Sequence, residues 1–177
     1  MDVSHATKPQ IRAYSRTDRD ACIAIFSSNL PRYFDTSELT DFEAFLESPT
    51  GDYFVVEIEN RVVACGGFSA SNGTGRLTWG MVSRDNQGTS IGKSLLSHRI
   101  DLLFLLPEVR VITIDTSQHT EGFFSRHGFR TTSVSPNGFG RGIDQVSMSL
   151  DRSEWRARAN NSFKPSPLRG LGAGVYD

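Results

Sequence analysis

Apolar positions along this chain recur with two periods, and the changes of period mark out its elements. The segment IRAY, from Ile11, has strand character. Thr17 or Asp18 then caps a predicted helix that carries Ala21, Cys22, Ile25 and Phe26 on one face, with Pro31 just past its end. A second helix is predicted over residues 38–47, capped by Ser37 and stopped by Pro49, with Leu39, Phe42, Phe45 and Leu46 on its buried side. Residues 53–58 (YFVVEI) and 62–70 (VVACGGFSA) alternate as strands around the tight turn Glu59-Asn60-Arg61, so they pair antiparallel. SNGTG at 71–75 turns the chain into a third strand, 76–82. A helix over 90–104 shows Ile91, Leu95, Leu96, Ile100 and Leu103 at helical spacing.

The β-branched run VRVITID (109–115) predicts a buried central strand. A short helix, TEGFFSRH, follows from Thr120 and ends at Gly128. Residues 129–134 and 145–150 form a last pair of strands around SPNGFGRGID. The fold class is therefore α/β (α+β): a mixed central sheet of six to seven strands flanked by about four helices, antiparallel early and parallel where the long helix crosses over. Residues 1–10 read as a flexible lead-in and 11–150 as one domain. Residues 151–177 read as a loosely ordered extension that begins helix-like (SEWRARA) and turns Pro-, Gly- and Ser-rich after Ser162.

Composition narrows the function. The net charge is −1, so nothing general draws the chain to nucleic acid or to an anionic membrane. No apolar run is long enough to span a bilayer, and MDVSHATKPQ lacks the apolar core of a signal peptide, which makes a cytoplasmic location the default. Cys22 and Cys65 stand far apart without metal-like spacing; they read as small core residues, and no metal site is expected.

The chemistry concentrates in TWGMVSRDNQGTSIGKSLLSHRIDLLF, residues 78–104: a strand, a glycine-containing loop, then an amphipathic helix. Such a loop points orphan amides and a helix dipole at one spot, which suits a phosphate or pyrophosphate. The same segment nearly spells a P-loop, since residues 87–94 read GxxxxGK[ST] with Gln87 in place of the first glycine. That class needs several parallel strands after the loop, and the remaining chain ends in a hairpin and a tail.

The order of elements, with QGTSIG after a strand ending at Val82 and GFFSRHGF at 122–129, resembles the GNAT family of acyl-CoA-dependent N-acetyltransferases. The resemblance spans roughly residues 11–150. It implies acetyl-CoA as cofactor, its pyrophosphate held by the backbone of Gln87, Gly88, Thr89, Ser90, Ile91, Gly92 and Lys93. Ser90 stands where the family has its first glycine. It further implies that the strand edge at Met81, Val82 and Ser83 bonds the pantetheine arm, with Phe123 and Phe124 flanking the thioester. The amide of Met81 or Val82 would serve as oxyanion donor. Phe124 falls where the family often carries a proton-donating tyrosine, and Ser117 where it often has an asparagine.

Acyl transfer to an amine needs a neutral amine, a donor to the oxyanion and a proton for the leaving thiolate. DTSQHTEG (115–122) supplies His119, a candidate base or an ordinary loop histidine. Ser117 would pass a proton or hold a water there. Glu121 is a base or a first-turn helix charge. Glu57 faces either cleft or solvent. Trp79, Tyr33 and Phe139 are candidate walls of the acceptor pocket, and NGFGRG (137–142) is a lid or a mobile turn. The acceptor implied is a small-molecule or peptide amine, and exposed strand edges at the end of such a sheet would pair two copies as a homodimer. The alternatives are a module that binds coenzyme A without chemistry, and the P-loop nucleotide enzyme.

Overall fold

The computed structural model describes residues 8–162 of the 177. Its strands are β1 (Gln10–Ala13), β2 (Asp52–Ile58), β3 (Arg61–Ser71), β4 (Thr74–Val82), β5 (Val111–Ser117), β6 (Arg130–Gly140) and β7 (Ile143–Asp151). Its helices are α1 (Arg19–Ser28), α2 (Leu39–Glu47), α3 (Ile91–Leu105), α4 (Glu121–Arg126) and α5 (Arg152–Ser162). One mixed sheet runs β1-β2-β3-β4-β5-β7-β6, and every neighbouring pair is antiparallel except β4 and β5. That parallel step follows from α3, which carries the chain back over one face.

The side-chain periods sort the core into two layers. Cys22, Ile25, Phe26, Phe42 and Leu46 of α1 and α2 pack on Tyr53, Val55, Cys65 and Met81. On the other face Leu96, Ile100, Leu103 and Phe124 of α3 and α4 pack on Phe68, Leu77, Ile112 and Ile114. Burial of these apolar groups at about 25 cal/mol per Å² is the main stabilising term.

Three details depart from the sequence reading. α1 starts directly after Asp18, one of its two predicted caps, and α2 at Leu39, but a 3-10 turn precedes each helix and the reciprocal caps lie at the start of those turns, upstream of Thr17 and Ser37. Ser15 and Asp18 form one reciprocal cap, with the Ser15 N–H donating to the Asp18 carboxylate (2.9 Å). Asp35 and Glu38 form the other, with the Asp35 N–H donating to Glu38 (2.8 Å) and the Ser37 N–H to Asp35 (2.9 Å). The last hairpin extends through most of the predicted loop, with its register jumping between Ser135 and Gly140. Finally, the extension opens as a docked helix. Arg152 lies over the Phe104 ring (5.0 Å) and donates to the carbonyls of Phe104 (2.8 Å), Val109 (2.7 Å) and Leu106 (2.5 Å). It thereby satisfies the C-terminal end of α3 and ties α5 to it. The lead-in at 1–7 and the tail beyond Ser162 lie outside the described residues. Among the described residues no helix is long and apolar enough to cross a membrane.

Candidate active site

A gap in the sheet defines the site. β4 pairs with β5 only where Thr74, Gly75 and Arg76 meet Val111, Ile112 and Thr113. Beyond that point β5 stays bonded to β7 as far as Ser117, and β4 stays bonded to β3 as far as Val82, so the two strands part. The cause is a bulge in β4. Cys65 faces Met81 and Gly67 faces Thr78, which leaves Trp79 and Gly80 opposite Gly66 alone. Trp79 takes φ +42, a conformation a bulky residue adopts only when its surroundings enforce it. Tyr53 supplies one restraint by donating its hydroxyl to the Trp79 carbonyl (3.0 Å). The indole supplies the other, being packed among Phe26, Phe34, Phe42 and Phe45. Trp79 is thus an anchor of the bulge more than a pocket wall. Beside it the Thr78 hydroxyl is buried without a hydrogen-bond partner.

Past the bulge the ladder alternation orients the backbone. The Ser83 N–H donates to Val63 on β3 (2.8 Å), so Met81 also turns its polar groups to β3 and Val82 turns its own away, toward the gap. The Val82 carbonyl accepts from Asn29 Nδ2 (3.0 Å) and Gln87 Nε2 (3.2 Å), and Gln87 also donates to Asn29 Oδ1 (2.7 Å). Of Met81 and Val82, Val82 is the one whose amide faces the opening.

At the mouth of the gap the chain makes a tight turn at Arg84–Asn86 and enters α3 through Gly88, which has φ +74. Among the described residues the amides of Gly88, Thr89, Ser90, Gly92 and Lys93 meet no protein acceptor. Ser90 is helical in conformation (φ −76), makes no capping hydrogen bond, and so leaves the amide cluster open. A Cβ on Gly92 would sit 3.5 Å from Val82 Cγ2 and 3.7 Å from the Phe123 ring. Phe123 therefore lines the loop side of the gap. Phe124, the residue matched to the family's tyrosine, points into the core against Phe129.

On the β5 side, Ser117 is buried and belongs to a hydroxyl cluster with Thr116 and Thr120. His119 is exposed on the following turn, its ring edge-on to Tyr33 at 6.2 Å. The β6–β7 hairpin reaches the same rim. Gln118 holds it by donating to the Gly142 carbonyl (2.9 Å) and accepting from the Asp144 N–H (2.9 Å). Gly140 abuts the Asp35 side chain, and Phe139 is half-buried next to it. Hydrogen bonds from Ser37 hold the Asp35 carboxyl below its usual range, so it is anionic at neutral pH. Tyr33, Asp35, His119 and the hairpin tip thus form one rim.

Glu57 is not part of this assembly. It lies on β2, with β3 between it and β4, and accepts from Arg12 Nε (3.0 Å) and Nη2 (2.8 Å). The same guanidinium clamps Asp18 (2.8 and 2.9 Å), so Glu57 is one end of a structural ion-pair chain. Sequence reasoning missed Asn29 and Arg99. Arg99 is a charge on the helix face that carries Leu95, Leu96, Ile100 and Leu103, and that mismatch is the signal that would have found it; Asn29, at the end of the polar run Ser27-Ser28-Asn29, gives none. Two clefts flank α5. One of 280 Å³ is lined by Lys93, Ser97, Arg126, His127, Trp155, Arg158 and Ala159. The other, 390 Å³, opens between α4, β6 and α5, away from the gap. Among the described residues no three His, Cys, Asp or Glu side chains are grouped to hold a metal ion.

The sequence profile of the acetyltransferase (GNAT) domain matches residues 26–152. The chain belongs to the GNAT acetyltransferase family. No curated protein matches it by sequence. Among solved structures, the ribosomal-protein-S18-alanine N-acetyltransferase from Escherichia coli superposes with TM-score 0.69 at 17% identity, over 81% of this chain and 94% of that one. The ribosomal-protein-alanine N-acetyltransferase from Brucella melitensis gives 0.65 at 20%, over 80% and 99%. A Salmonella typhimurium protein solved with its cofactor acetyl-CoA gives 0.65 at 21%, over 82% and 94%. At these identities the likeness is one of fold. A GNAT sheet also disposes of the P-loop alternative, because it offers one parallel pair where that class needs several.

Proposed function

We propose that this protein transfers an acetyl group from acetyl-CoA to a primary amine of a small molecule or a peptide end, by direct attack within the gap between β4 and β5. One observation carries the reading: a gap in the sheet whose mouth is ringed by partnerless amides at the start of α3. These amides fit a pyrophosphate, which brings the acceptors they lack. Lys93 and the cation-lined cleft beside it add positive charge where further phosphate charge would lie. The outward edge at Val82 suits the amides of a pantetheine arm, which would join β4 as an extra strand.

The cofactor supplies an activated acetyl thioester. The protein's own residues do the rest. The Val82 N–H is the donor available to developing carbonyl charge. His119, on the rim, removes the proton from the attacking amine, and Ser117 holds a water or relays the proton. Tyr33 and Phe139 close the acceptor side. The Asp35 carboxylate at that rim favours an ammonium arriving from solvent. The Tyr33, Thr116, Ser117 and Thr120 hydroxyls are candidate proton donors to the leaving thiolate.

Titration calorimetry with acetyl-CoA tests the cofactor, and absence of heat at high micromolar concentration removes it. Turnover against primary amines and peptides with free N-termini tests the reaction. Phe124, buried where the family often has its tyrosine, favours a second reading: a module that binds coenzyme A without transfer. Tight binding with no turnover across the panel selects that reading.

A further inference from the structure

α3 buries a cation that no carboxylate among the described residues neutralises. Arg99 is 3% exposed, and among the described residues no carboxylate lies within ion-pair distance of it. Its hydrogen bonds are long: Nε to the Leu95 carbonyl (3.3 Å) and Nη1 to the Gly67 carbonyl (3.4 Å). Burial pushes its pKa down to about 10, so it remains charged at neutral pH. Holding an unpaired guanidinium in the interior is costly, and a leucine or methionine at this helix position would pack without that cost.

The placement of the guanidinium is specific. It sits under the bulge of β4, in the space left by two facing glycines. A Cβ on Gly80 would fall 2.9 Å from both Nη1 and Nη2, and one on Gly66 would fall 3.0 Å from Nη1. Gly66 is buried, whereas Gly80 is exposed where β4 and β5 part. No side chain therefore stands between the charge and the part of β4 that borders the gap. A buried charge acts over such a short path with little protein between.

We propose that Arg99 is the fixed charge behind the bulge that polarises the thioester carbonyl of a bound acyl-CoA, acting across Gly80. It is a positioning residue. It braces the Gly67 carbonyl at the bulge and supplies a field aimed where negative charge develops. The missing counter-charge then arrives with the reaction. This inference rests on the acetyl-CoA reading and goes beyond it by assigning a residue outside the loop and the rim.

The test is the carbonyl stretch of acetyl-CoA labelled with carbon-13 at the carbonyl, recorded by infrared difference spectroscopy on the bound cofactor, with affinity measured separately by calorimetry. In the parental protein the band is expected at lower frequency than in free acetyl-CoA. R99M, which replaces the charge by an apolar chain of similar length, is expected to return most of that shift while changing affinity less than threefold. R99K, keeping the charge, retains part of it. R99Q, neutral and able to bond Gly67, gives the same readout as R99M should the latter not accumulate folded. An equal carbonyl frequency in the parental protein and a folded neutral variant overturns the proposal, because a bracing role alone would move the melting temperature and leave the band in place. Absence of acetyl-CoA binding to the parental protein overturns the cofactor reading itself, and the calorimetry separates that failure from the first.

Discussion

Gly92 shows what a single residue controls at this site. Its missing side chain leaves ordinary contact distances of 3.5 and 3.7 Å to Val82 and Phe123, so a methyl group fits and the fold does not depend on glycine here. A glutamate extends a negative charge into the amide cluster at the start of α3. Gly92→Glu should weaken acetyl-CoA binding more than about 100-fold, through charge repulsion at a helix N-terminus and loss of space, with unchanged circular dichroism. His119 makes the complementary case. It is exposed on the rim, where its ring meets Tyr33, and under the proposed function it acts on the acceptor amine and not on the cofactor. His119→Ala should lower turnover about 100-fold or more, the scale of general base catalysis, with cofactor affinity within twofold by calorimetry. Activity at the parental level across pH would remove His119 from the mechanism.

At the scale of elements, the turn that precedes α1 is held by charge. Arg12 donates two hydrogen bonds to Asp18, which is nearly buried, and these hold the Asp18 carboxyl below its usual value near 3.8. A depressed folded-state value means that this stabilisation is fully present well above the unfolded value near 3.8 and is lost as pH falls through the lower folded value. Asp18→Asn should therefore cost about 1–3 kcal/mol in chemical denaturation at pH 7, and the difference from the parental protein should shrink as pH falls through the folded value. The β6–β7 hairpin depends on Gln118 in a similar way. Gln118→Ala removes both bonds that dock it, so KM for the amine should rise severalfold while cofactor affinity holds.

Elements are also where the sequence was most legible. The helical spacing of α3 and the β-branched run of β5 specify their type and burial because apolar period is a direct image of a packed face. The open amide loop was legible because it is a feature of the backbone that glycine placement reveals. The bulge was not, because Trp79 in its strained conformation is chosen by Tyr53 of β2, Phe26 of α1, Phe34 of the connection after it, and Phe42 and Phe45 of α2, all distant from it in sequence. The environment of Glu57 was hidden for the same reason, its partner Arg12 lying on a strand that pairs beside it. Arg99 is visible in sequence only as a polar residue among apolar helix positions, and its setting under two glycines required the assembled sheet.

At the scale of the whole molecule, binding of acetyl-CoA would be converted into stability. It would bridge two parts of the sheet whose ladder is joined by three residue pairs of β4 and β5, a geometry present only in the folded chain. At 100 times its dissociation constant it should add about 2.7 kcal/mol, raising the melting temperature by roughly 5–10 °C in a domain of this size. The same concentration should leave Gly92→Glu unmoved. The unequal edges of the gap also give the sheet an uneven permeability to heavy water. Where β5 is bonded to β7 alone, every second amide turns to β7, and those amides should exchange slowly with or without a ligand. Along the C-terminal part of β4 the pattern should alternate. Met81 and Ser83, turned to β3, should be slow, while Val82, turned to the opening, should lose its proton quickly until a pantetheine arm arrives to shelter it.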